Sequence, residues 1–82
     1  LFPAFPNPTT DATRFRFQLE QSAEVTFELR DITGKLVERR DLGTQPAGMG
    51  NMVLETSAFG AGSYTATFVV NGARTTQKLM VK

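Results

Sequence analysis

From Thr13 the chain alternates strictly: Thr13, Phe15, Phe17 and Leu19 are separated by Arg14, Arg16, Gln18 and Glu20. Side chains on a strand point to opposite faces in turn, so this spacing predicts a half-buried β-strand, not a helix. After a connection at Gln21-Ser22-Ala23 the pattern repeats, with Val25, Phe27 and Leu29 on one face and Glu24, Thr26, Glu28 and Arg30 on the other. Asp31-Ile32-Thr33-Gly34 then reads as a tight hairpin, in which the Asp31 carboxylate caps the turn and Gly34 is free to take positive φ. A third strand follows over about Lys35 to Asp41.

Residues 43–51 carry Gly43, Pro46, Gly48 and Gly50, closed by Asn51, and predict a loop. A short strand from Met52 to Thr56 emerges from it. Ser57 to Gly62 is a turn of small residues with Phe59 as its one large anchor. The strand Ser63 to Val70 presents Tyr64, Ala66, Phe68 and Val70 together. Asn71-Gly72 is a strong two-residue hairpin signal, since a type I′ turn needs positive φ at both central positions. The last strand, Arg74 to Lys82, turns Thr75, Gln77, Leu79 and Val81 one way.

The lead-in, residues 1–10, holds Pro3, Pro6 and Pro8. Each proline removes a backbone donor, so the segment reads as a linker or an edge strand, docking onto the body through Phe5. The organisation is therefore a Pro-rich lead-in, 1–10, followed by one domain, 11–82. Six or seven short strands at spacings of roughly ten residues, without any helical pattern, predict an all-β fold: an antiparallel β-sandwich of immunoglobulin-like type, with a small closed barrel as the alternative.

An 82-residue chain has room for one core. It has no cysteine, so neither a disulfide nor a thiolate metal site supplements that core. It has no histidine, which removes the commonest general base and metal ligand. Nine basic against eight acidic residues give a net charge of +1. That is far from the basic excess that phosphate-backbone binding demands, so nucleic acid is not an expected partner. No apolar run approaches the length that spans a bilayer, and Leu1-Phe2-Pro3 lacks a signal-peptide pattern, as expected of a piece of a longer protein.

Catalytic chemistry finds little to build on. Ser22, Ser57 and Ser63 lack a histidine, and a Ser-Lys pair would need Lys35, Lys78 or Lys82 buried beside one of them. Glu24 and Glu28 share an exposed strand face, whereas a glycosidase pair must flank a cleft. Asp11, Asp31 and Asp41 are the possible calcium ligands, but they lie outside any dense Asp/Asn loop motif. Phe15, Phe17, Phe27 and Phe68 fall on inward faces and read as core. Tyr64 reads as an inward ring whose hydroxyl finds a backbone acceptor at a strand end. Arg14, Arg16, Arg39 and Arg40 read as solvated outer faces that discourage edge-to-edge association. No enzyme, cofactor or metal is expected.

Four features stand in one order along the chain: Phe5-Pro6-Asn7-Pro8 before the first strand, Asp31-Ile32-Thr33-Gly34-Lys35-Leu36-Val37 at the first hairpin, Gly62-Ser63-Tyr64 opening a late strand, and Lys78-Leu79-Met80-Val81-Lys82 at the end. The ordered set resembles the C-terminal sorting domain, of type A, of cargo proteins of the type IX secretion system of Bacteroidetes. Phe59 stands where that family more often has Leu. The resemblance implies an immunoglobulin-like module behind a cargo domain, marking a folded periplasmic protein for export across the outer membrane. It further implies an outer-membrane translocon and a sortase-like peptidase as partners, removal of the signal, and cargo that is anchored at the cell surface or released. By position, Pro6, Asn7, Pro8, Asp31, Gly34, Gly62 and Tyr64 match the family's motifs, and Lys78, Leu79, Met80, Val81 and Lys82 its terminal recognition strand.

If the strand from Arg74 to Lys82 lies at a sheet edge, its backbone offers a surface for strand addition, with Lys78 and Lys82 supplying orientation. A homodimer through an edge strand is a further expectation. The other function class is an immunoglobulin-like accessory, spacer or adhesion module of a secreted enzyme. Position in the reading frame separates the two, since a sorting signal is the last domain and a spacer sits anywhere.

Overall fold

The computed structural model describes residues 2–82, so Leu1 of the lead-in lies outside the described residues. Six strands follow in order: β1 Ala12–Leu19, β2 Ala23–Arg30, β3 Leu36–Gln45, β4 Gly48–Glu55, β5 Gly62–Val70 and β6 Ala73–Val81. They form two antiparallel sheets, β1-β4 and β3-β2-β5-β6. The sheets pack face to face as an immunoglobulin-like sandwich and do not close into a barrel.

The alternation read from the sequence is the burial pattern. Phe15, Phe27, Phe68, Leu29, Leu54 and Leu79 are fully buried, together with Val25 and most of Phe17. Phe15, Phe27 and Phe68 meet mutually at ring-centroid distances of 5.1 to 5.5 Å in tilted pairs, and Phe17 joins Phe68 at 5.7 Å. Tilted pairs at these distances place ring edges against ring faces, the arrangement the aromatic quadrupole favours. This cluster bridges β1 of one sheet to β2 and β5 of the other.

The expected loop over 43–51 is not a loop. β3 runs on to Gln45, β4 begins at Gly48, and only Pro46 and Ala47 connect them. Two bulges explain how β3 extends so far: β2 pairs Val25 with Gly43 but Thr26 with Asp41, and Leu29 with Glu38 but Arg30 with Leu36. The additional residues, Leu42 and Val37, pack against the core. Gly43 supplies positive φ at the first bulge (70°). Gly50 serves a different need. It lies opposite Phe17 in the β1-β4 ladder, and a Cβ there would overlap the Phe17 ring. The glycines that read as loop punctuation therefore work inside strands.

Two side-chain expectations are also corrected. Arg39 is exposed as expected and reaches Asp41 at 3.4 Å, whereas Arg40, expected on a solvated outer face, is half-buried, bonds Glu38 at 3.0 Å and donates to the Val53 carbonyl at 2.9 Å. Because strand neighbours point oppositely, Arg40 faces the β4 edge and ties the two sheets together. Phe5, the expected anchor of the lead-in, is 79% exposed. The lead-in instead docks through its backbone and through buried Ala4 and Thr9.

Candidate functional site

The terminal strand, β6, is the last strand of the four-stranded sheet and pairs with β5 over its full length, from Gly62 opposite Val81 to Val70 opposite Ala73. Asn71 and Gly72 make the connecting turn, both at positive φ. Leu79 and Val81 point into the core and are buried, while Lys78, Met80 and Lys82 are exposed. The strand is thus anchored by two apolar side chains and presents two cations to solvent.

The outer edge of β6 is occupied by the lead-in. Thr9 donates its amide to the Met80 carbonyl and accepts from the Lys82 amide, each at 2.9 Å, in a parallel bridge. Asn7 uses its side-chain amide as a peptide group: Nδ2 donates to the Lys78 carbonyl at 3.0 Å and Oδ1 accepts from the Met80 amide at 2.9 Å. Gln77 returns the arrangement from β6, accepting from the Ala4 amide at 2.8 Å and donating to the Phe2 carbonyl at 3.1 Å. On its other side the lead-in pairs with β1, through Phe5 with Arg14 and the Phe2 amide with the Arg16 carbonyl. Pro6 and Pro8 flank Asn7 and have no amide to leave unpaired. The edge from Lys78 to Lys82 is therefore not open, as strand addition there would require.

The inner neighbour of β6 carries the second motif. Tyr64, half-buried near the start of β5, packs against Phe59 at 5.9 Å and donates its hydroxyl to the Gly60 carbonyl at 2.6 Å. A tyrosine at the start of a strand, bonded to backbone a few residues upstream, is the tyrosine corner of immunoglobulin-like sandwiches. The third motif is the β2-β3 hairpin. One oxygen of Asp31 accepts from the Thr33 amide (2.9 Å), the Thr33 hydroxyl (2.6 Å) and the Lys35 amide (3.0 Å). These hold its carboxyl below the ordinary value of 3.8, the Thr33 hydroxyl most of all, against the opposing effect of desolvation and with help from the Lys35 charge. Ile32 at the tip is 83% exposed.

Asp31, Gly34, Tyr64 and Lys78 line one shallow groove of about 390 Å³, joined by Arg30 and Ser63. Three blocks that are distant in sequence thus meet around β6: Pro6-Asn7-Pro8 on its outer edge, Gly62 to Tyr64 on its inner edge, and the Asp31 hairpin across the groove from Lys78. Sequence reading missed Thr9 and Gln77. Thr9 carried no signal, but Gln77 did, as the polar residue in an inward row that continues to Leu79 and Val81.

Two of the remaining carboxylates, Glu28 and Asp41, are used structurally. Glu28, whose side chain is only 14% exposed, pairs with Arg74 at 3.1 Å and Arg30 at 3.5 Å. Asp41 binds Thr26 and Arg39. Among the described residues no three acidic groups converge as a metal site, and no helix is long and apolar enough to cross a membrane.

A family model for the secretion system C-terminal sorting domain matches residues 3–82. The chain belongs to that family. The sorting domain accordingly carries a type IX secretion C-terminal sorting signal, which implies interaction with the type IX machinery and export to the cell surface or secretion. Domains of this family are typically non-catalytic. Among curated proteins none matches the chain in sequence.

Proposed function

We propose that this sorting domain sends an attached cargo protein across the outer membrane by presenting β6, and above all Lys78, Leu79, Met80, Val81 and Lys82, to the type IX translocon and to a sortase-like peptidase. In this reading the lead-in, 1–10, is the side on which the cargo joins and the body, 11–82, is the signal. The peptidase removes the domain, and the cargo is anchored at the outer-membrane surface or released. The domain itself catalyses nothing. The observation that carries the reading is the convergence of the Asn7, Asp31, Gly62 and Tyr64 blocks on the terminal strand. Asp31, Gly34, Gly62 and Tyr64 act as its frame, and Lys78 and Lys82 as its accessible charges.

Replacing both lysines by alanine in a reporter fusion tests this. Both side chains are exposed, so stability should change by no more than about 0.5 kcal/mol per site. The expected result is an unchanged melting temperature with the reporter retained in the periplasm. Normal export of the folded double variant contradicts the assignment.

One observation favours the accessory-module reading. On the outer face of the β1-β4 sheet, Phe2 and Phe5 are exposed beside Arg14, Arg16 and Val53 around a second groove, of about 460 Å³. An aromatic and cationic surface of this kind suits contact with a neighbouring domain. A homodimer through an edge strand would use β3 or β4, because the lead-in covers β6 from Lys78 to Lys82.

A further inference from the structure

We infer that residues 2–9 form a detachable latch on the edge of β6, and that the edge they occupy is a pairing surface for an extended peptide strand running parallel to β6. The lead-in itself shows what the surface accepts: a peptide group opposite Met80 and Lys82, supplied by Thr9, and an amide opposite Lys78 and Met80, supplied by the Asn7 side chain. Six hydrogen bonds join the described lead-in to β6, and four of them use the side-chain amides of Asn7 and Gln77. Three of those four, both bonds of Asn7 and the one from Gln77 to Phe2, are exposed, so water or another backbone can replace them.

Little apolar area holds the segment down. Among residues 2–10 only Ala4 and Thr9 are buried, and Phe2 and Phe5 are 43% and 79% exposed. Pro3, Pro6 and Pro8 break the ladder, so the lead-in touches β6 at separate points and not as a continuous strand. Segments with few buried apolar contacts and solvent-accessible hydrogen bonds are those that open below the global unfolding free energy. Leu79 and Val81, by contrast, stay fixed by burial from the opposite face of β6. Release of the lead-in therefore bares Lys78 to Lys82 without dismantling the sheet, and a partner strand adds by main-chain pairing. The inference rests on the reading of β6 as the recognised element only for the identity of that partner.

Amide hydrogen exchange on the 82-residue chain tests the latch without any secretion machinery. The amides of Met80 and Lys82 bond the lead-in, whereas that of Leu79 faces β5. In the wild-type chain Met80 and Lys82 are expected to exchange at least about tenfold faster than Leu79, and N7A to accelerate Met80 by roughly a further tenfold with Leu79 little changed. A synthetic peptide of residues 2–10 should restore protection of Met80 in N7A. Q77A, which leaves the β6 backbone bonds in place, gives a second means of loosening the lead-in should N7A fold poorly. If Met80 and Lys82 exchange at the Leu79 rate in the wild-type chain and in the variants, the lead-in is an integral strand and the inference is overturned. Exchange reports on the latch alone and export on sorting alone, so either can fail without the other.

Discussion

Asp31 and Tyr64 each perform one local task that the residue type dictates. The bonds to Asp31 favour its ionised form, so they support the hairpin above pH 3.8 and are lost as pH falls through the lower folded value. The Thr33 and Lys35 amide shifts should therefore titrate together with a midpoint below 3.8, and in D31N that titration should vanish. Tyr64→Phe removes one hydroxyl hydrogen bond, worth about 1 kcal/mol, and should lower the melting temperature by roughly 4–8 °C without changing the fold. An unchanged melting temperature would mean that the Gly60 carbonyl is as well served by water. Both roles were legible in the sequence, because a carboxylate three residues before a glycine and a tyrosine opening a strand act within their own few residues. Thr9 was not legible, since its partners, Met80, Lys82 and Thr56, lie far along the chain.

Strands were legible wherever the alternation was clean. β1 and β2 follow their pattern residue for residue, and their large side chains form the Phe15-Phe27-Phe68 cluster. The body of β3 was legible, but its end, residues 42–45, and the first half of β4 were hidden because two bulges shift the phase of β3, and because Gly50 has no side chain to show which face it occupies. The partner's ring fills that face. Gly50→Ala should therefore cost about 1–3 kcal/mol through overpacking against Phe17, a fall of roughly 4–24 °C in melting temperature. Combining it with Phe17→Leu should give less than the sum of the two single effects, because the shorter side chain makes room for the methyl group. Strict additivity would show that Gly50 is required for its backbone and not for the ring.

At the scale of the molecule, the order of motifs along the chain becomes a place in space. The Asn7, Gly62-Tyr64 and Asp31 blocks contribute an outer edge, an inner edge and a facing turn to one terminal strand, and the family match spans all of them. The sandwich explains why so small a chain maintains this arrangement: one aromatic core fixes β2 and β5, and β6 is carried on β5 by Leu79 and Val81. What the sequence did not disclose is that the lead-in closes the edge of β6, because paired amides from Asn7 and Gln77 have no periodicity to read. The most direct test of the central claim is a fusion of the 82 residues to a reporter bearing a periplasmic signal peptide. It is expressed in a bacterium with a working type IX system and in one whose translocon is disabled. Reporter at the surface or in the medium of the first strain alone is the predicted result; a folded domain retained in the periplasm of both would contradict it.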